Sequence, residues 1–216
     1  MAVPSRLDGM ARYGIRTDRA IGVTIYELRP LARRLGPDHG LALELWDTGI
    51  HEARILAGFV DNPALVTEQQ MEAWALDFDS WDLCDQVCGL FEETSFAWSK
   101  AHEWSEREEE FVKRAAFAIV AGLAVHAKDA PDRDFERFLS VIRRAATDER
   151  NYVKKAASWA LRNVGKRNPR LNAKAIATAE RLRSSASRSA RWVGSDALRE
   201  LASEKIQQRL RRKLRG

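Results

Sequence analysis

Two nine-residue stretches of this chain are near copies of each other. Val112-Lys113-Arg114-Ala115-Ala116-Phe117-Ala118-Ile119-Val120 and Val153-Lys154-Lys155-Ala156-Ala157-Ser158-Trp159-Ala160-Leu161 lie 41 residues apart, within the period of about 40–47 residues that marks HEAT and armadillo helical arrays. Weaker copies occur at His51-Glu52-Ala53-Arg54-Ile55-Leu56-Ala57 and at Arg188-Ser189-Ala190-Arg191-Trp192-Val193. In each copy small residues allow close helix packing and a basic residue stands beside them. A unit of this kind cannot bury its apolar face alone, so it stacks on its neighbours. The expected fold is all-α: HEAT-like repeats stacked into a curved superhelix, with basic side chains lining a concave groove.

The local signals agree. Apolar residues recur with helical spacing and nowhere alternate as in a strand. Helix starts are marked by Gly36-Pro37-Asp38, by Thr67-Glu68-Gln69-Gln70 and by Asp79-Ser80. Asp47-Thr48-Gly49, Asp61-Asn62-Pro63 and Asn168-Pro169 interrupt the pattern with residues that favour turns or cannot donate to a continuing helix. At 216 residues the chain has the length of one domain. We expect an N-terminal helical region over 1–35, a repeat core over 36–201 and a basic extension over 202–216.

Composition excludes several classes. With 45% hydrophobic and 31% charged residues the chain reads as folded and water-soluble. No apolar run approaches the roughly 20 residues needed to span a bilayer, and Met1 to Met10 lack the apolar stretch of a secretory signal. The expectation is a monomer in the cytoplasm, in the bacterial cytosol or at the nucleoid, without a membrane partner. Cys84 and Cys88, spaced i,i+4, suit small buried residues rather than a disulfide, and no His/Cys cluster completes a metal site. The His51-Glu52 pair begins like a zinc-protease motif, but Ile55 stands where a second His is required.

Charge is distributed unevenly. From Arg150 to Gly216 there are 19 Lys/Arg against 4 Asp/Glu, a net +15, whereas the first 149 residues carry 17 against 27, a net −10. A folded basic segment of this kind points to a polyanionic partner. The most unusual stretch lies in the acidic part: Asp77-Phe78-Asp79-Ser80-Trp81-Asp82-Leu83-Cys84-Asp85-Gln86 sets four carboxylates beside a tryptophan. On a helix Trp81 and Asp85 share a face. Two readings are open for it. The carboxylate and indole could stabilise a developing cation, or Trp81 and Leu83 could be core while the acids cap and solvate the helix.

These residues carry a resemblance. Leu45-Trp46, His51-Glu52-Ala53-Arg54, Ser80-Trp81-Asp82-Leu83-Cys84-Asp85, Lys113-Arg114-Ala115-Ala116, and Lys154-Lys155-Ala156-Ala157-Ser158-Trp159 with Lys166-Arg167-Asn168-Pro169 follow in an order and spacing that resembles the AlkD-type DNA alkylation-repair glycosylases, from about Gly36 to Leu201. The resemblance implies a monofunctional glycosylase of base excision repair. It would hydrolyse the N-glycosidic bond of cationic N3-methyladenine and N7-methylguanine in duplex DNA with no metal or other cofactor. Asp85 would be the catalytic carboxylate, Trp81 and Trp159 the aromatic side chains against the deoxyribose, and Arg114 a groove arginine near the backbone. Lys113, Lys154, Lys155, Arg162, Lys166, Arg167, Arg188 and Arg191 would complete the basic DNA-binding wall. Two alternatives are a non-catalytic repeat module that binds damaged or branched DNA, and a protein-interaction solenoid working through acids such as Glu108-Glu109-Glu110. The chain departs from the family at Ser80, where a second aromatic is common, and in the short region ahead of Leu45-Trp46. The remaining tryptophans, Trp46, Trp74, Trp98, Trp104 and Trp192, are expected to pack between repeats.

Overall fold

A computed structural model describes residues 4–213. Among them are thirteen α-helices and no strand: α1 (Pro4–Arg12), α2 (Ile25–Leu35), α3 (His39–Asp47), α4 (His51–Val60), α5 (Glu68–Leu76), α6 (Trp81–Phe91), α7 (Ala97–Trp104), α8 (Glu110–His126), α9 (Asp132–Ala145), α10 (Asn151–Gly165), α11 (Pro169–Arg183), α12 (Arg188–Leu201) and α13 (Glu204–Lys213). The chain divides into two compact units, Met1–Ala97 and Trp98–Gly216. The fold is the all-helical repeat expected from the sequence.

The start signals act as their chemistry requires. The Asp38 carboxylate accepts from the Leu41 N–H, and the Thr67 hydroxyl accepts from Gln70 N–H, each satisfying a first-turn donor that has no partner within its helix. Asn168 both follows the end of α10 and caps α11, with its side chain accepting from Leu171 N–H and Pro169 at the first helical position. Ser80 precedes α6 without capping it; its hydroxyl turns to Asp79 Oδ1 at 2.9 Å and the residue is fully buried. The basic extension continues as α13 up to Lys213, and 214–216 lie outside the described residues.

In the first unit α4 packs against α2, α3 and α6. Ile55, Ala57 and Val60 of α4 meet a core that also holds Met71, Leu83, Val87 and Phe91. The indoles of Trp46 and Trp74 stack at 4.0 Å with their planes 1° apart, and both are buried. Arg54 lies over Trp46 and, with the Trp46 N–H, binds the Asp77 carboxylate. Cys84 and Cys88 are buried thiols of this core, and burial raises the Cys88 thiol well above its ordinary range.

In the second unit α8 packs along α10, α10 along α12, and α11 against α12. The repeat seen in the sequence is the spacing of the bonds that join these layers. Arg114 donates to the Tyr152 carbonyl across 38 residues, Asn163 to Ala121 across 42, and Ser189 to Asp148 across 41. The corresponding ties in the first unit, Trp46–Asp77 and His51–Asp82, each span 31 residues. Its repeats are shorter, which is why the first unit shows only a weak copy of the 41-residue pattern. Small residues let the layers approach closely: a Cβ on Gly194 would lie 2.5 Å from both the Ala179 carbonyl oxygen and the Arg183 amide nitrogen.

Candidate active site and nucleic-acid surface

In the first unit the candidate chemistry lies on α6. Trp81 opens this helix and Asp85 follows one turn later; both are half-buried. The Trp81 indole N–H donates to the Tyr13 carbonyl at 2.9 Å, which fixes the ring while leaving part of it accessible. Asp82 has a different task. Its Oδ2 bonds His51 Nε2 at 2.9 Å, joining the first turns of α4 and α6. Burial of His51 opposes its protonation, but the Asp82 carboxylate, helped by Glu52 and Asp79, outweighs it and raises the imidazole pKa. The acids of this stretch have different places: Asp77 binds Arg54 and Trp46, Asp82 binds His51, and Asp85 stands on the same face as Trp81.

Glu52, part of the His51-Glu52-Ala53-Arg54 run but given no role from the sequence, is 2% exposed and accepts hydrogen bonds from three successive backbone amides, Ile21, Gly22 and Val23, at 2.9, 2.7 and 3.3 Å. Its carboxylate clasps the loop between α1 and α2 against α4. No local signal announces this partner, which lies 30 residues upstream. The same loop is held a second time by the His51 N–H, which donates to the Arg19 carbonyl.

The second unit holds Trp159 and the basic residues, and the structure sorts the cations into three groups. Arg114 and Arg167 are occupied in packing. Arg114 is 6% exposed, with its guanidinium on the Tyr152 carbonyl. Arg167 lies 4.0 Å from the centre of the Phe135 ring and donates to Ala124 O and Ala127 O, carbonyls at the end of α8 that its helix leaves unpaired. Both guanidiniums thus take part in the packing between helices.

The second group is paired with acids. Ser158 and Arg162 on α10 and Lys166 just after it, each one turn on, face Asp196 and Glu200 on α12: Ser158 to Asp196 at 2.7 Å, Arg162 to Glu200 at 2.6 Å, Lys166 to Glu200 at 2.8 Å. Burial alone would raise the Glu200 pKa, but Lys166 and Arg162 lower it on balance. Lys113 likewise approaches Asp148, at 3.5 Å. The third group faces solvent. Lys155, Arg188 and Arg191 are exposed and Lys154 is half-buried, and among the described residues none of the four forms an ion pair with an acid. Trp159 is half-buried on α10, one turn after Lys155 and one before Arg162.

A profile of the family described as DNA alkylation repair enzyme matches residues 1–201. The chain belongs to this family. The match takes in both the Trp81–Asp85 helix and the basic layers of the second unit. Among solved structures, the fold of this family member resembles a protein described as one of a new family related to the HEAT-like repeat DNA glycosylases with affinity for branched DNA structures. The TM-score is 0.74 and the identity 20%, over 83% of this chain and 77% of that one. A designed armadillo repeat protein in complex with the peptide (KR)4 superposes with a TM-score of 0.38 at 16% identity, over 87% of this chain and 80% of that one. A search of curated proteins finds no match.

Of the other tryptophans, Trp46, Trp74 and Trp104 are buried as expected, and Trp98 packs edge-on against Phe135 at 5.2 Å. Trp192 is the exception, 40% exposed on α12.

Proposed function

We propose that this protein is a monofunctional DNA glycosylase that hydrolyses the N-glycosidic bond of cationic N-alkylpurines, chiefly N3-methyladenine and N7-methylguanine, in duplex DNA. The observation that carries the reading is the pair on α6: an indole anchored through its N–H, with a carboxylate one turn away on the same face. An alkylated purine already bears positive charge, so the C1′–N bond breaks with its electron pair moving to the base nitrogen, and the base leaves neutral. The deoxyribose becomes oxocarbenium-like, and stabilising it is the main task of the site. The Asp85 carboxylate supplies negative charge beside that sugar and accepts a proton from the water whose oxygen bonds to C1′. Trp81 offers its π-face to the growing positive charge.

The DNA backbone is held, in this reading, by the solvent-facing cations Lys154, Lys155, Arg188 and Arg191, with Lys113, Arg162 and Lys166 adding field while partly neutralised by Asp148, Asp196 and Glu200. Replacing any one phosphate-binding cation by a neutral side chain should reduce the salt slope of duplex binding by roughly 0.9. Incubation with duplex DNA containing N7-methylguanine tests the reading: release of free 7-methylguanine above the spontaneous rate is expected, and release at the spontaneous rate would refute it.

A second reading, a module that binds branched DNA without chemistry, is favoured by the likeness in fold to the family with affinity for such structures. It predicts that Asp85→Asn leaves affinity unchanged and that the wild type releases no base.

A further inference from the structure

We propose that Trp192 is a stacking platform for an unpaired nucleotide base, flanked by cations that hold the adjoining phosphates. A half-exposed indole is an unusual surface residue in this chain, where Trp46, Trp74 and Trp104 are buried. The exposed charged residues of α12 are all basic. Arg188, Trp192, Ser195 and Arg199 recur along α12 at i, i+4, i+7 and i+11, and all four are exposed. From α10 the Lys154 ammonium stands 5.7 Å from the centre of the indole, over its face, and Lys155 beside it is exposed. The Arg191 guanidinium is steadied by the Ser185 and Ala186 carbonyls.

The two acids of α12 are already paired, Asp196 in part by Arg199 of the same exposed stripe. Asp196 is bound by Ser158, Arg162 and Arg199, and Glu200 by Arg162 and Lys166. An occupant must therefore bring negative charge and a flat apolar face together. A nucleotide does this, since every base has a π-face and each is followed by a phosphate. In an intact duplex those faces are covered by neighbouring bases, so the indole can stack only on a base that is unpaired or unstacked. The site goes beyond the base-release chemistry proposed above and does not depend on it.

The experiment compares binding of a labelled oligothymidylate and of a blunt duplex of equal length, by fluorescence anisotropy, for the full chain and for Trp192→Ala, Trp192→Leu and Trp192→Phe. Stacking on an aromatic side chain is worth enough that its loss should weaken oligothymidylate binding about tenfold or more in the Ala and Leu variants. The Phe variant, which keeps a π-face, should bind less than about threefold more weakly than wild type, and duplex binding should fall less than single-strand binding in every variant. Leu binding as tightly as Trp would overturn the proposal by making the residue an apolar cover rather than a stacking platform. Equal weakening for the two DNAs, or unchanged binding in the Ala variant, would overturn it as well. Circular dichroism of each variant confirms that the helices are intact before binding is compared.

Discussion

The close approach of α11 and α12 makes a quantitative prediction about Gly194. A Cβ placed there meets the Ala179 carbonyl oxygen and the Arg183 amide nitrogen at 2.5 Å each and the Leu182 carbonyl carbon at 3.0 Å. Ordinary contact begins near 3.4 Å, and all three atoms are backbone, so no rotamer change relieves the overlap; the helices must separate. Overpacking of this kind costs about 1–3 kcal/mol. Alanine favours a helix interior over glycine by about 1 kcal/mol, which offsets only part of that cost. Two backbone atoms at 2.5 Å place this overlap at the upper end of that range, so Gly194→Ala should destabilise by about 2 kcal/mol. Gly89, inside α6, provides the control: nothing lies within 4 Å of the position a Cβ would take there, so Gly89→Ala has only the propensity gain and should stabilise by about 0.5–1 kcal/mol. The same substitution thus has opposite signs at two helical sites. Thermal unfolding followed by circular dichroism reads both, with a shift of roughly 2–8 °C per kcal/mol depending on the size of the unit that melts. A Gly194→Ala protein as stable as wild type would refute the packing described for α11 and α12.

Two further predictions concern charge. His51 has a raised pKa through Asp82, so its stabilising bond is fully present below the unfolded value of 6.5 and is lost as pH rises through the higher folded value; the unfolding free energy of wild type should exceed that of His51→Gln by more at about pH 5.5 than at about pH 8.5, and a gap that widens with pH contradicts the pairing. Glu200 neutralises Arg162 and Lys166, so Glu200→Gln should cost up to about 1 kcal/mol in stability while tightening duplex binding and steepening its salt dependence; titration at several salt concentrations checks this, and weaker binding would remove these two cations from the DNA-facing field.

The repeat architecture is legible in the sequence because it rests on local rules: the 41-residue offset, the Asp38 and Thr67 caps and the Asn168-Pro169 boundary all act over a few residues or recur at a fixed period. The shorter period of the first unit is harder to see, since its inter-helix ties span 31 residues and its copies share fewer side chains. The charge count identifies a basic segment but cannot say which cations are free to act. Arg162 and Lys166 are paired with acids on the next helix, and Arg114 and Arg167 with carbonyls 37 to 44 residues away, so their roles depend on contacts a full repeat apart. Trp192 is expected in the interior on the general tendency of aromatics to be buried. Its exposure follows from the face of α12 on which it falls, with Arg188 and Arg199, opposite the buried Ala190, Val193 and Ala197.

The proposed chemistry depends above all on Asp85 as the group that stabilises the sugar cation. Release of 7-methylguanine from duplex DNA, measured for wild type and Asp85→Asn under single-turnover conditions, tests it most directly. Removing one electrostatic stabiliser should slow excision by about 10²- to 10³-fold while leaving duplex affinity nearly unchanged. Excision by the variant within about tenfold of wild type would contradict the assignment.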